Sequence, residues 1–222
     1  MKPLIVPSLA VLTLVAGLGS AAARPPEGGY FGFGIGGAIA GGDRGVPLKA
    51  GPFVIGPAVG SADYKELVRT DFGSGLAFDL RFGWLVGPVA PEIGIVGHGT
   101  TNFEDGAGYP NFSLRFHPLL LVDSLADLKV DASVFLGAGY AIGGYQPKND
   151  TDGKGWEGWA LHFGLGATYD LSQRVRLGFD VRFVMPQYSS FMIDWDDDIN
   201  GKPASTPSTL VVIPTLQIVA SF

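Results

Sequence analysis

The ionisable residues with the most informative placement are evenly spaced. Asp79 and Arg81 are two apart, as are Asp180 and Arg182, and Arg176 shares the parity of the second pair. Glu92, Arg115 and Asp131 each stand between small or apolar neighbours. Together these are four acids and four bases. Charges withdrawn from water are costly unless paired. A balanced set of this kind is therefore expected to form a salt-bridge network inside an enclosed space. The alternative use is a charged constriction in a small pore.

Other chemistry is thinly supplied. The chain has no Cys, which excludes thiol nucleophiles, disulfides and Cys-ligated metals. His98, His117 and His162 are the only histidines. They could be read as a three-His metal site, but they fall at different ends of their segments, and hydrogen bonding in the interior is the expected use. Asp194, Asp196, Asp197 and Asp198 surround Trp195. This is a candidate Ca²⁺ cluster, yet its spacing is not that of an EF-hand, so a solvated acidic loop is expected and no metal is assigned. There is no Gly-x-Ser-x-Gly elbow and no convincing His-Ser arrangement. The string from Gly32 to Gly37 has the look of a dinucleotide loop, but no helical pattern follows it. No catalytic residue and no cofactor are assigned, and the chain is read as a non-enzyme.

Composition narrows the setting. The 222 residues include 34 Gly and 16 Pro, with 46% hydrophobic and only 16% charged residues. Gly without a Gly-X-Y period excludes collagen, and the apolar content excludes general disorder. Residues 1–23 read as a cleaved signal peptide. Lys2 is the positive start, Leu4 to Leu18 the apolar run, and Ala21 and Ala23 the small residues before Arg24. Without Lys2 the remaining 24–222 holds 14 basic and 21 acidic residues, a net charge of −7, which argues against a nucleic-acid partner.

The elements that must position the charges have a period of two. In Val175 to Met185, Val175, Leu177, Phe179, Val181, Phe183 and Met185 alternate with Arg176, Gly178, Asp180, Arg182 and Val184. Successive strand side chains point to opposite faces, so one face is apolar and the other polar or tiny. The same alternation runs over about 29–40, 74–86, 89–99, 110–121, 129–143, 158–170 and 208–222, making eight segments. In segment four Phe112, Leu114, Phe116 and Leu120 form the apolar face. Links alternate too. Gly87-Pro88, Asp123 to Leu128 and Leu171 to Arg174 are short; about 41–73, 100–109, 144–157 and 187–207 are long. Pro214 interrupts the last segment, where a bulge or shifted phase is expected before Thr215.

Two features place the apolar face outward. The polar face is crowded with glycines, among them Gly32, Gly34, Gly83, Gly94, Gly137, Gly164 and Gly166. Glycine weakens an exposed strand but leaves room for long Arg side chains inside a narrow barrel. Aromatic residues gather toward segment ends: Trp84, Tyr169 and Phe222 on the short-turn side, and Phe112, Tyr140, Trp159 and Phe183 on the loop side, as interfacial girdles would require.

With these segments, links and a terminal Leu216, Ile218, Ala220, Phe222 alternation, the chain resembles the small eight-stranded outer-membrane β-barrels of Gram-negative bacteria. It is similar to the transmembrane part of outer membrane protein A and to outer membrane proteins X and W. The resemblance implies an all-β, eight-stranded antiparallel up-and-down transmembrane barrel over 24–222, located in the bacterial outer membrane. It implies lipid bilayer and lipopolysaccharide as surroundings, and recognition of Phe222 by the barrel-assembly machinery. Function is expected to be structural or interactive through four surface loops, with Trp156, Tyr188, Phe191 and Trp195 as contacts. A narrow channel or carrier for small or apolar solutes is the first alternative, and a lipid-modifying enzyme the second.

Overall fold

A strand with one apolar and one small or charged face leaves two problems, an unpaired edge and two faces that need different surroundings. Closing the sheet on itself solves the first, because a barrel has no edge. In the computed structural model the chain does this. The structure describes residues 27–42, 74–100, 105–122, 125, 128–145, 154–192, 200–201 and 209–222. The expected signal peptide, Trp195 and the Asp194 to Asp198 cluster lie outside them.

Eight long strands form the wall: β1 (Gly28–Gly42), β2 (Gly75–Leu85), β3 (Val89–Gly99), β4 (Asp105–Phe116), β5 (Val130–Tyr145), β6 (Lys154–Asp170), β7 (Val175–Met192) and β9 (Thr209–Ser221). Neighbours in sequence pair antiparallel from β1 to β7; β9 pairs with both β7 and β1 and closes the ring. A two-residue β8 (Asn200–Gly201) pairs with the loop end of β7. This is an eight-stranded up-and-down barrel.

The faces are those the alternation demands. Phe31, Phe33, Phe78, Leu80, Phe82, Ile93, Leu114, Leu136, Phe163, Leu165, Leu177, Leu216 and Ile218 are exposed on the outside. All eight residues of the expected charge set are buried on the inside. Glycines on the inner face make the room expected of them. A Cβ on Gly32 would lie 2.9 Å from Arg81 Nε, and one on Gly166 would lie 2.7 Å from Arg115 Nη1 and 2.8 Å from Ser133 Oγ.

Several local expectations are corrected. The strands are longer than the alternation suggested, so that β4 and β5 pair as far as Asp105 with Tyr145, and β6 and β7 as far as Gly155 with Met192. Segment four ends at Phe116. Leu120 is not a strand residue but part of a 3-10 turn, Pro118–Leu121, where the missing N–H of Pro118 favours leaving the ladder. There is no bulge or phase shift in β9. Thr209, Val211, Ile213, Thr215, Gln217, Val219 and Ser221 are all buried, and Gly36–Thr215 and Ile39–Val212 share one register. Pro214 is accommodated by an open stretch of the β1–β9 ladder between those two pairs, not by an extra residue. Phe112 lies nearer the turn end of β4 than its loop end, and Phe183 stands mid-strand, stacked on Phe163 at 5.0 Å between ring centroids. Neither belongs to a loop-side girdle.

Candidate functional site

The interior carries the polar chemistry, arranged in three layers. The middle layer is the ion-pair network. Asp180 on β7 receives Arg81 from β2 and Arg115 from β4, the latter through Nη2 at 2.8 Å. Glu92 on β3 receives Arg115 Nε at 2.8 Å and lies 3.5 Å from Arg81 Nε. Asp79 on β2 accepts from Arg182 of β7 at 3.2 Å and from Gln217 of β9 at 3.3 Å. Because β7 is three strands from both β2 and β4 around the ring, the Asp180 bonds and the Arg182–Asp79 bond cross the lumen, while the Glu92 bonds join neighbouring strands along the wall.

Three arginines face three carboxylates in this layer, so its formal charge cancels. Neutral groups fill the remaining bonding positions. Tyr30 donates to Glu92 Oε1 at 2.5 Å, Ser113 to Glu92 Oε2 at 3.2 Å, and Arg115 donates to Ser133 Oγ at 2.8 Å. Two guanidinium groups lie over the ring of Phe135, Arg115 at 4.4 Å and Arg182 at 4.7 Å from its centroid. Cation–π contact of this kind offsets part of the cost of burying two like charges near each other. The arrangement is a septum of charge-assisted bonds in which each carboxylate is shared.

Toward the loops the interior changes character. Val96, Tyr109, Ala141, Trp156, Ala160, Val184, Tyr188, Val211 and Ile213 pack into one buried apolar cluster. Tyr109 ties it together, with its hydroxyl 3.1 Å from His98 Nε2 and its ring edge-on to His162 at 6.0 Å. Trp156 and Tyr188 were expected as surface contacts. They are instead fully buried and pack on each other at 5.9 Å between centroids. The reason is parity: both fall on the inner face of strands that continue beyond the expected segment ends. Phe191 lies near the loop end of β7, opposite Trp156 of β6 and Gly201 of β8.

Toward the turns a third layer holds the rest of the charge set. Asp131 pairs with His117, Oδ2 to Nδ1 at 2.5 Å, and not with an arginine. Arg176 donates to Ser221 Oγ at 3.3 Å and lies over the Tyr30 ring at 5.7 Å. The eight expected residues are thus all interior, but six form the septum and two stand apart. The sequence reading missed Tyr30 and Phe135 as members. Their signal was available, since each occupies an inner-face position where the wall otherwise carries Gly, Ser or charge.

Among the described residues there is no cluster of three or more His, Asp or Glu able to hold a metal. His98 and His162 come together around Tyr109, while His117 stays at the opposite end, bound to Asp131.

No protein-family profile and no curated sequence matches the chain. Solved structures do. Neisserial surface protein A (NspA) superposes with a TM-score of 0.55 at 10% identity, over 88% of this chain and 98% of that one. The outer membrane protein OprG from Pseudomonas aeruginosa superposes with a TM-score of 0.51 at 12% identity, over 90% and 99%. At these identities the likeness is one of fold: the chain has the architecture of the small outer-membrane barrels.

Proposed function

We propose that this chain is a non-enzymatic outer-membrane barrel with a sealed lumen, whose role is structural or interactive and is exercised through the connectors at its loop end. The observation that carries the reading is double closure of the interior. A cross-lumen ion-pair septum lies at mid-height, and a packed apolar cluster lies above it, where Val96, Val184, Ile213 and His162 are 0% exposed. A wall with an apolar outer face is at home in lipid, and eight strands leave an interior that side chains can fill.

The same reading gives the remaining parts their work. Phe222 is exposed beside Phe82 at 6.0 Å, and its N–H donates to Gly29 O at 2.9 Å. That placement suits a terminal residue read by assembly machinery. Tyr140 and Trp159, exposed and paired across β5 and β6, suit the outer interface of the bilayer facing lipopolysaccharide. The loop connectors 43–73, 101–104, 146–153 and 193–199 would supply the contacts.

A second reading, a carrier for small or apolar solutes, is favoured by the apolar lining of the loop-side half. It requires that lining to open. Single-channel recording in planar bilayers separates the two. The sealed barrel gives no steady, reproducible openings, and such openings would overturn it. Fractionation with the outer membrane, together with faster gel migration of the unheated form, tests the location.

A further inference from the structure

Turns at the closed end of such barrels are short, and two of the three here obey. The β2–β3 turn is Gly87-Pro88 under a Val86–Val89 bridge, and the β6–β7 turn runs from Leu171 to Arg174. The β4–β5 connector, His117 to Lys129, is longer and rich in leucine. Among its described residues four i to i+3 backbone hydrogen bonds form: Leu120 N to His117 O at 3.1 Å, Val122 N to Leu119 O at 3.3 Å, Leu125 N to Val122 O at 2.9 Å, and Leu128 N to Leu125 O at 3.1 Å. The part of it next to β4, Pro118–Leu121, is a 3-10 turn.

Two anchors fix how the Pro118–Leu121 turn is presented. Leu120 packs upward into the barrel mouth against Tyr30, Leu85, Ala90 and Val219. At the base, His117 Nδ1 and Asp131 Oδ2 clasp the two ends of the connector at 2.5 Å, while His117 N donates to Pro88 O at 2.7 Å. With Leu120 turned inward, Leu121 is 61% exposed, and Val122 and Leu128 are exposed as well. The connector leaves the wall beside exposed Leu114 and rejoins it below exposed Val134. Its apolar side is therefore continuous with the outer apolar wall.

We propose that Leu121, Val122 and Leu128, between the turn ends of β4 and β5, form a membrane foot that rests in the headgroup–acyl boundary of the turn-side leaflet. The occupant is lipid and not a protein, because the exposed side chains extend a surface that already faces lipid. This rests on the outer-membrane reading above. Apolar residues placed at that boundary gain burial without spanning the bilayer. The foot would set the depth and tilt of the barrel and hold Leu120 in the mouth.

The chain has no Cys, so single cysteines can carry an environment-sensitive fluorophore. Three variants reconstituted in phosphatidylcholine vesicles suffice: Val122→Cys in the foot, Leu136→Cys in the exposed mid-wall, and Gln173→Cys in the exposed β6–β7 turn. Leu121→Cys replaces the first if that variant does not reach the folded form. The foot probe is expected to emit blue-shifted light and to be quenched more by lipid spin-labelled near the headgroup than at the chain end. The mid-wall probe should show the reverse, and the turn probe should be quenched by aqueous iodide. A foot probe quenched by iodide, with the mid-wall probe still quenched by deep spin label, overturns the foot and leaves the barrel reading intact. A mid-wall probe untouched by spin-labelled lipid overturns the barrel reading itself. A foot probe shielded from iodide and from both lipid labels means a second copy covers it, which also overturns the proposal.

Discussion

The middle and the loop-side parts of the lumen are both filled, but by opposite means. In the middle, Asp180 and Asp79 are bonded across the barrel by arginines of strands that are not their neighbours, while Glu92 bridges Arg81 and Arg115 of the two strands beside its own. Above, Trp156, Tyr188, Val184 and Ile213 fill space by shape and contribute few directional bonds. The difference lies in what each filling tolerates. An apolar cluster loses contact area in proportion to what is removed. A buried ion-pair network fails abruptly, because a lost partner strands a charge where water cannot reach it. The septum is thus the more brittle filling and the one that ties β7 to β2 and β4.

The sharpest way to break this comparison is Asp180→Ala, which leaves the buried Arg81 and Arg115 with Glu92 as their one shared close carboxylate. It is expected to cost about 5 kcal/mol, read as a lower urea midpoint for loss of the fast-migrating folded form; Asp180→Asn, which keeps the shape, gives the milder value if the first does not fold. Truncating the upper cluster with Trp156→Ala should cost less, about 3 kcal/mol, and a result above that of Asp180→Ala would reverse the ranking of the two seals. Gly166→Val probes the septum from the wall, since its side chain would enter the space of Arg115 and Ser133; overpacking of this sort costs about 2 kcal/mol, measured in the same titration. Combining Asp180→Ala or Asp180→Asn with Trp156→Ala sharpens the separation. The two sites lie far apart along the barrel, so their effects should add to within about 0.5 kcal/mol, and larger coupling would mean that the layers act as one. Smallest is Ser190→Ala, which removes the 2.7 Å bond from Ser190 Oγ to Glu157 on the outer side of the loop end. It should change stability by no more than about 0.5 kcal/mol.

Much of this was legible in the chain, for a local reason. Period-two alternation in Val175 to Met185 and its seven counterparts fixed which side chains face inward before any pairing was known. The crowding of glycine on that face correctly signalled a narrow interior, as Gly32 and Gly166 show by their closeness to Arg81 and Arg115. Alternation also carried the phase through Pro214, where a bulge was expected and the ladder only opens. The parts that were misjudged depend on where strands stop. Trp156 and Tyr188 were taken for surface contacts because β6 and β7 run beyond their most regular stretch. Leu120 was assigned to a strand because its parity fits one, although Pro118 ends the ladder first.

The sequence by itself determined a strand-built chain with one apolar and one polar face, and it placed the eight balanced charges on the polar side. That information is carried by neighbours two residues apart, which share a face in any strand. Only the tertiary structure decided the partners. Asp131 meets His117 and not an arginine, Asp180 gathers Arg81 and Arg115, and Phe135 carries both Arg115 and Arg182 over its ring. The reason is geometric. Closing a tilted sheet brings together residues whose separation along the chain is set by strand register and stagger, and no local pattern records that distance.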